Sequence, residues 1–571
     1  MPKGSTTGVW FRKCLRLHDN VPLLEACKES SYIVPFFILD PHFDKSKVGV
    51  QRFAFLLESL RDLDDQLCKR YKSRLLVIKG DPKAVLDQMM SGKFSIAGSK
   101  LKLDNLFFEF DSEAYARKRD ADVQKSARKH GVNCRAFSGH TMLDLQKVKD
   151  QIEAGDIKRP IDMRAIQNIM LRETASTCTH GLKVPAAKEA PSKIPPLFPG
   201  KAPSKAEFDS KFRVPDITEL YTGKEDRETL KKFGDMRIAQ FPGGETAALA
   251  RLKKEVSSKV DYVCKFEKPK TSSTNGGDTL GSKKVDWTKP STTGLSPYLK
   301  FGCLSVRKLW HAIDACYKKK THAQPPGSLH GQLMFREMFY ILSYTVENWD
   351  KAEQNSMCKP VQWDTQNNKL VEAWKHGKTG YPYIDALMRQ LNQTGWMHHL
   401  GRHAVSCFFT RGDLYQHWRL GRDVFDQKLL DADWALNNGN WLWLAGVAPF
   451  SMPFFRVYHP APAKESALNA EQTGEFIKFF VPELAKMPAK YINRPWEAPL
   501  DVQKAANCVI GKEYPKPIVE HSAACKTNLA KFGKSLSTLR KQKDKEASST
   551  KKRSAGAAGL TAAAPAKKKR T

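Results

Sequence analysis

The chain has no unbroken apolar run of about 18 residues, the length a helix needs to cross a bilayer. Its first residues, MPKGSTTGVWFRK, hold no apolar stretch of secretory-signal length, so the expectation is a chain that stays inside the cell. Its 12 cysteines, scattered from Cys14 to Cys525, form no CxxC pair and no metal-ligand spacing. They read as reduced core thiols, and no metal site is expected. Neither GxGxxG nor GxxxxGKS/T follows any apolar run, so the usual dinucleotide and nucleoside-triphosphate loops are missing. Acidic residues are scarce: 61 Asp and Glu face 94 Lys and Arg, a net charge of +33.

What is present begins with size. A chain of 571 residues exceeds one compact core, so two or more domains are expected. Part of the charge is a tail, since Lys526–Thr571 carries 14 basic residues against 2 acidic ones. The body stays strongly basic without it. Lys and Arg in such excess point to a polyanionic partner, nucleic acid first, because each neutralised phosphate releases counterions. The plainer alternative is a solvated basic surface that serves solubility.

Residues 1–140 alternate short apolar runs with helical patterns. VWF (9–11), YIVPFFIL (32–39), RLLVIKG (74–80) and NLFFEF (105–110) read as buried strands, and 52–71 has helical apolar spacing. Strands separated by such helices predict an α/β domain, a doubly wound parallel sheet of Rossmann-like form. Residues 141–215 are Pro-rich in part and read as a connector. From 216 to 505 the periods are helical almost throughout, which predicts an all-α domain, interrupted by a polar loop around 271–287. Residues 506–571 read as a disordered basic tail; KKR at 551–553 and the terminal PAKKKR resemble nuclear-import patches.

Three segments hold residue types suited to chemistry. KPSTTGLSPYLKFG (289–302) sets hydroxyls and a glycine before a helix with Pro297 in its first turn, which suits a diphosphate or is an ordinary N-cap. LLDADWALNNGNWLWLAG (429–446) interleaves acids, amides and tryptophans, as suits a flat, heteroatom-rich ligand. WMHHLGRH (396–403) puts His399 and His403 four apart on one helical face, with His398 looking elsewhere and Arg402 between them.

These segments, with WFRKCLRLHDN (10–20) and GKTGYPYIDALMRQLNQTGWMHHLGRHAVSCFFTRGDLY, resemble the photolyase/cryptochrome family over nearly the whole chain to about residue 500. The HHxxRH run is similar to the (6-4) photolyase and animal-type cryptochrome branch. The resemblance implies FAD in the helical domain, FAD-binding by Thr292, Thr293, Gly294, Leu295, Ser296, Gln332 and Arg336, and Arg402 paired with Asp431 near the ring. It also implies that Asp433 lies close by and that Asn437 faces flavin N5. Trp441, Trp418 and Trp363 match the family's electron-transfer triad, with Tyr415 at the place of a fourth donor. The structural alternative is that these are core aromatics.

The same resemblance places His399 and His403 in a lesion pocket walled by Phe335 and Trp443, with Gln332 bonding the lesion. Phe335 departs from the branch, which has Trp there; the insertion around 271–287 and Gly294 are lesser departures. A metal held by His399 and His403 lacks a third ligand at a fitting spacing, and a pair of satisfied helix histidines is the remaining alternative. The implied activity is light-driven repair of (6-4) photoproducts in UV-damaged DNA, an electron leaving reduced FAD while the histidines move a proton. The rival is a blue-light photoreceptor or transcriptional regulator that signals through its tail to nuclear partners. An antenna chromophore, deazaflavin or folate, is possible in the first domain by the same resemblance, and no membrane partner is expected.

Overall fold

The apolar runs near the N-terminus are strands because residues buried on both faces of a parallel sheet need no polar side. They are Thr6–Trp10 (β1), Tyr32–Leu39 (β2) and Leu76–Lys79 (β3), then a small hairpin of Phe94–Ile96 (β4) and Ser99–Leu101 (β5), and finally Asn105–Glu109 (β6) and Asn133–Phe137 (β7). A computed structural model of the chain describes residues 4–96, 98–174, 184–197, 204–236, 241–268, 272–274, 286, 287, 290, 292–462 and 473–559. The order β3-β2-β1-β6-β7, parallel throughout, is the expected doubly wound sheet. Helices Val21–Glu29 (α1), Val50–Tyr71 (α2), Pro82–Ser91 (α3) and Ala114–His130 (α4) make the crossovers. Asn20 starts α1 by accepting from Leu23 N at 3.0 Å. The edge strand β7, NCRAF, escaped the sequence reading because it is half-exposed and polar.

Residues 141–215 are more ordered than a bare connector. Leu145–Glu153 and Met163–Thr174 are helices that pack on Leu329–Thr345 (α5), a helix buried along nearly its whole length. The second domain is helical, as expected, and includes His399–Cys407 (α6), Trp418–Lys428 (α7) and Trp434–Leu444 (α8). Its link to the sheet domain is a continuous apolar core, in which Phe55 meets Tyr298 and Phe301, with buried polar contacts beside it. Arg307 grips Asp19 with two 2.9 Å bonds, and Arg52 donates to the Ala432 carbonyl at 3.3 Å. That clamp presses the loop between α7 and α8 against the first domain.

One expectation is corrected. Residues after Ala505 were expected to be disordered, but His521–Gly559 (α9) is helical. Asn528 and Phe532 are buried, and Asn528 bonds the carbonyls of Gly412 and Asp413, each at 3.0 Å. Phe532 stacks on Phe454 at 4.9 Å. The anchoring residues recur at helical spacing inside a Lys- and Ser-rich run, so composition hid them. The basic runs at 551–553 and 567–570 lie outside the residues whose side chains are described. Among the described residues, no helix is long and apolar enough to cross a membrane, and no His, Cys, Asp and Glu group could hold a metal.

Candidate active site

The turn Leu429–Asp433 delivers two carboxylates to one place. Asp431 Oδ2 accepts from Arg402 Nη2 at 2.9 Å and from Ser296 Oγ at 2.6 Å, so α6, the 292–296 loop and the turn converge on a single oxygen. Asp433 caps α8 by accepting from Leu436 N, and also accepts from Tyr340 OH at 2.6 Å. Helical spacing then sets Asn437 and Trp441 on the stripe that Asp433 begins. Asn437 is buried and its Nδ2 donates to Arg422 O at 3.1 Å.

Around this convergence buried polar atoms lack partners: Asp431 Oδ1, Arg336 Nη1, His399 Nε2 and Trp441 Nε1. Native cores seldom leave such atoms unpaired without a ligand to meet them. The set of one carboxylate oxygen, one guanidinium and aromatic rings fits a polar tricyclic flavin. Arg336 otherwise donates to the His140 carbonyl and lies over the Tyr340 ring.

In the loop before the Ser296–Lys300 helix, Gly294 has φ +58°, and a Cβ there would meet Arg251 Nη2 at 2.4 Å. Arg251 Nε donates to Thr293 O at 2.7 Å. A cation thus stands behind Thr292, Thr293, Gly294, Leu295 and Ser296, as a diphosphate requires. Sequence reading missed Arg251 because it sits more than 40 residues upstream in an ordinary helix.

His398 looks elsewhere, as expected: it caps α6, its Nδ1 accepting from Leu400 N at 3.2 Å. His399 and His403 face one recess, ring centroids 6.1 Å apart. His403 meets Trp443 edge-on at 5.2 Å and contacts Tyr458 OH at 3.3 Å. Phe335 stacks across from Trp443 at 6.1 Å, their planes 16° apart. Gln332 lies at the rim, its Oε1 accepting from Lys268 Nζ at 3.2 Å. Lys268 also stands 5.5 Å over the Trp443 ring, and no motif pointed to it.

Electrostatics departs from the expectation of imidazoles titrating near neutrality. Burial, then the charge of Lys268, pushes His398 down to about 3 and holds His399 and His403 well below their usual value. Burial, then Arg402, lowers Lys268 itself to about 8. Burial and the nearby cations therefore disfavour the protonated imidazole at all three positions. The recess is rich in cations and short of anions.

Trp441 and Trp418 are fully buried and Trp363 is half-buried. The Trp441 ring lies so close over α7 that a Cβ on Gly421 would fall 2.1 Å from Cη2, three residues beyond Trp418. Tyr415 meets Trp363 at 5.0 Å. Structural indoles here spend their N–H on carbonyls, Trp349 on Ala435 and Trp374 on Val405, each at 3.0 Å. Trp441 has no such partner, and Trp418 has only the Cys358 thiol beside it. Trp310, also fully buried, likewise leaves its N–H without a partner, so the missing bond alone does not set Trp441 and Trp418 apart from core indoles.

A cavity of about 620 Å³ opens between the domains. Arg12, Lys13 and His42 line it from the sheet domain and Lys300, Ala432 and Trp434 from the helical one. Alternate residues of the 431–434 turn thus face two different sites.

The chain matches the family model described as DNA photolyase over residues 7–167, and the model described as FAD binding domain of DNA photolyase over residues 328–534. It is 40% identical to the (6-4)DNA photolyase of Arabidopsis thaliana over 95% of this chain and 91% of that one. It is 39% identical to cryptochrome-1 of Gallus gallus over 92% of this chain and 77% of that one. A bacterial class III photolyase from Agrobacterium tumefaciens superposes with a TM-score of 0.73 at 26% identity, covering 94% and 99% of the two chains. Fold, paired domains and this depth of identity agree: the chain belongs to the photolyase/cryptochrome family.

Proposed function

We propose that the protein repairs (6-4) pyrimidine–pyrimidone photoproducts in DNA under light. One observation carries the reading: His399 and His403 share an apolar-walled recess with Lys268, beside the site whose unpaired polar atoms fit a flavin. Bound FAD supplies the light-absorbing electron donor. Arg402, Asp431 and Ser296 would hold and orient it, with Arg251 backing the loop at Thr293. The damaged base leaves the helix stack, as base-handling enzymes of this kind require, and lies between Phe335 and Trp443. Gln332 and Lys268 meet its polar edge and phosphate.

A phosphate brought by the lesion offsets Lys268, so the imidazole pKa values rise on binding and one histidine takes a proton. That proton goes to the hydroxyl oxygen that must return to the neighbouring pyrimidine, and it comes back to the pair once both bases are restored. A cyclobutane dimer, which needs only the electron, gives no use for two imidazoles. The 620 Å³ cavity suits an antenna chromophore such as a deazaflavin or folate. Incubating reduced protein with an oligonucleotide carrying one (6-4) lesion, in light and in darkness, tests the reading; repair in light alone supports it, and none in light overturns it.

A photoreceptor role has its own support. Phe532 of α9 meets Trp363 at 6.0 Å, and Lys531 stands 5.2 Å over Tyr415 while pairing with Asp364 at 2.7 Å. Oxidation of Trp363 or Tyr415 would place positive charge under Lys531 and loosen α9.

A further inference from the structure

His140, Tyr340 and Asp433 form a buried row that the repair reading leaves unused. His140 Nδ1 lies 3.1 Å from Lys13 O, its Nε2 lies 2.8 Å from Tyr340 OH, and Tyr340 OH lies 2.6 Å from Asp433 Oδ2. All three side chains are buried. Each of the three contacts needs one hydrogen. A neutral imidazole supplies one, the phenol supplies one, and an ionised carboxylate supplies none. The row is one proton short.

Its surroundings explain why. Burial and Arg336 push His140 well below its usual value, while Lys13, 3.8 Å from Asp433, holds that carboxyl down despite burial. Arg16 adds to the positive field on His140, and Arg336 also faces Tyr340. Asp111 and Glu113 face Lys13 from the other side, at 3.1 and 4.0 Å. One contact of the row is therefore shaped for a proton by geometry and denied it by cations.

We propose that the His140–Tyr340–Asp433 row is a redox-linked proton site, taking up one proton when negative charge arrives at the neighbouring flavin. This rests on the reading of that site as a flavin pocket. The electron comes from an external reductant or from Trp441, and the proton comes from solvent. It lodges on His140, or on Asp433 by a shift of both hydrogens through Tyr340, and no bond to the flavin forms or breaks. Lys13 and Glu113, 4.0 Å apart and the latter raised by burial to about 7, both line the 620 Å³ cavity, so that side of the row borders open space.

The test counts protons. Flavin-loaded protein is reduced anaerobically with dithionite in weakly buffered solution, and uptake is read with a pH indicator beside the pH dependence of the midpoint potential. Wild type should take up one proton more per flavin than Tyr340→Phe or His140→Gln, and its potential should vary more steeply with pH. Equal uptake and equal slope in all three overturn the proposal. Nitrogen NMR of wild-type His140 guards against variants that misfold: one ring proton in flavin-free protein and two, or one beside a protonated Asp433, after reduction. An unchanged row after reduction overturns the proposal as well. A wild-type chain that binds no flavin removes the repair reading itself, a result distinct from flavin binding without proton uptake.

Discussion

Lys268 Nζ stands 3.2 Å from Gln332 Oε1, and among the described residues no carboxylate pairs with it. A half-buried ammonium with only a neutral partner is costly, and an anion brought beside it would relieve that cost. Replacing Lys268 by Met should raise the pKa of His399 and His403, since its charge is the second cause of their depression after burial. Nitrogen NMR titration reads this directly; unmoved imidazoles would mean that burial alone sets them.

The depressed histidines also tie stability to pH. A histidine whose folded pKa lies below the unfolded value near 6.5 leaves the unfolded chain binding more protons. Stability is then intact above about 6.5 and falls as pH drops from there towards the folded values, about 3 for His398. Urea midpoints measured between pH 7 and pH 4 should fall in wild type and fall less steeply in Lys268→Met.

Gly421 holds Trp441 in place. Gly421→Ala puts a methyl 2.1 Å from Trp441 Cη2 and should cost about 1–3 kcal/mol by overpacking. It should also slow photoreduction of flavin-loaded protein by displacing the indole. Retained stability with unchanged photoreduction would show that the ring relaxes freely.

Phe532→Ala removes a fully buried ring that stacks on Phe454 and meets Trp363. A loss of about 3–5 kcal/mol in a thermal or urea unfolding transition is expected. A change under 1 kcal/mol would mean that α9 does not dock in solution.

Much of this was legible in the chain. The four buried strands and helix α2 follow from period and apolar runs, and the Arg402–Asp431 pair follows from the resemblance. The polar edge strand β7 and the docked helix α9 were hidden, one by exposure and the other by lysines around a sparse apolar stripe. Arg251, Lys268 and His140 were hidden for another reason. Each reaches its site from a distant part of the chain, and a lone Lys, Arg or His carries no spacing to read.

The central claim is that His399 moves a proton during repair and that Trp418 serves only photoreduction. Light-driven repair of a (6-4) oligonucleotide by chemically reduced protein tests it most directly. His399→Ala should repair nothing while its flavin still photoreduces, and Trp418→Phe should repair as wild type does. Repair retained in His399→Ala, or lost equally in both variants, would contradict the account.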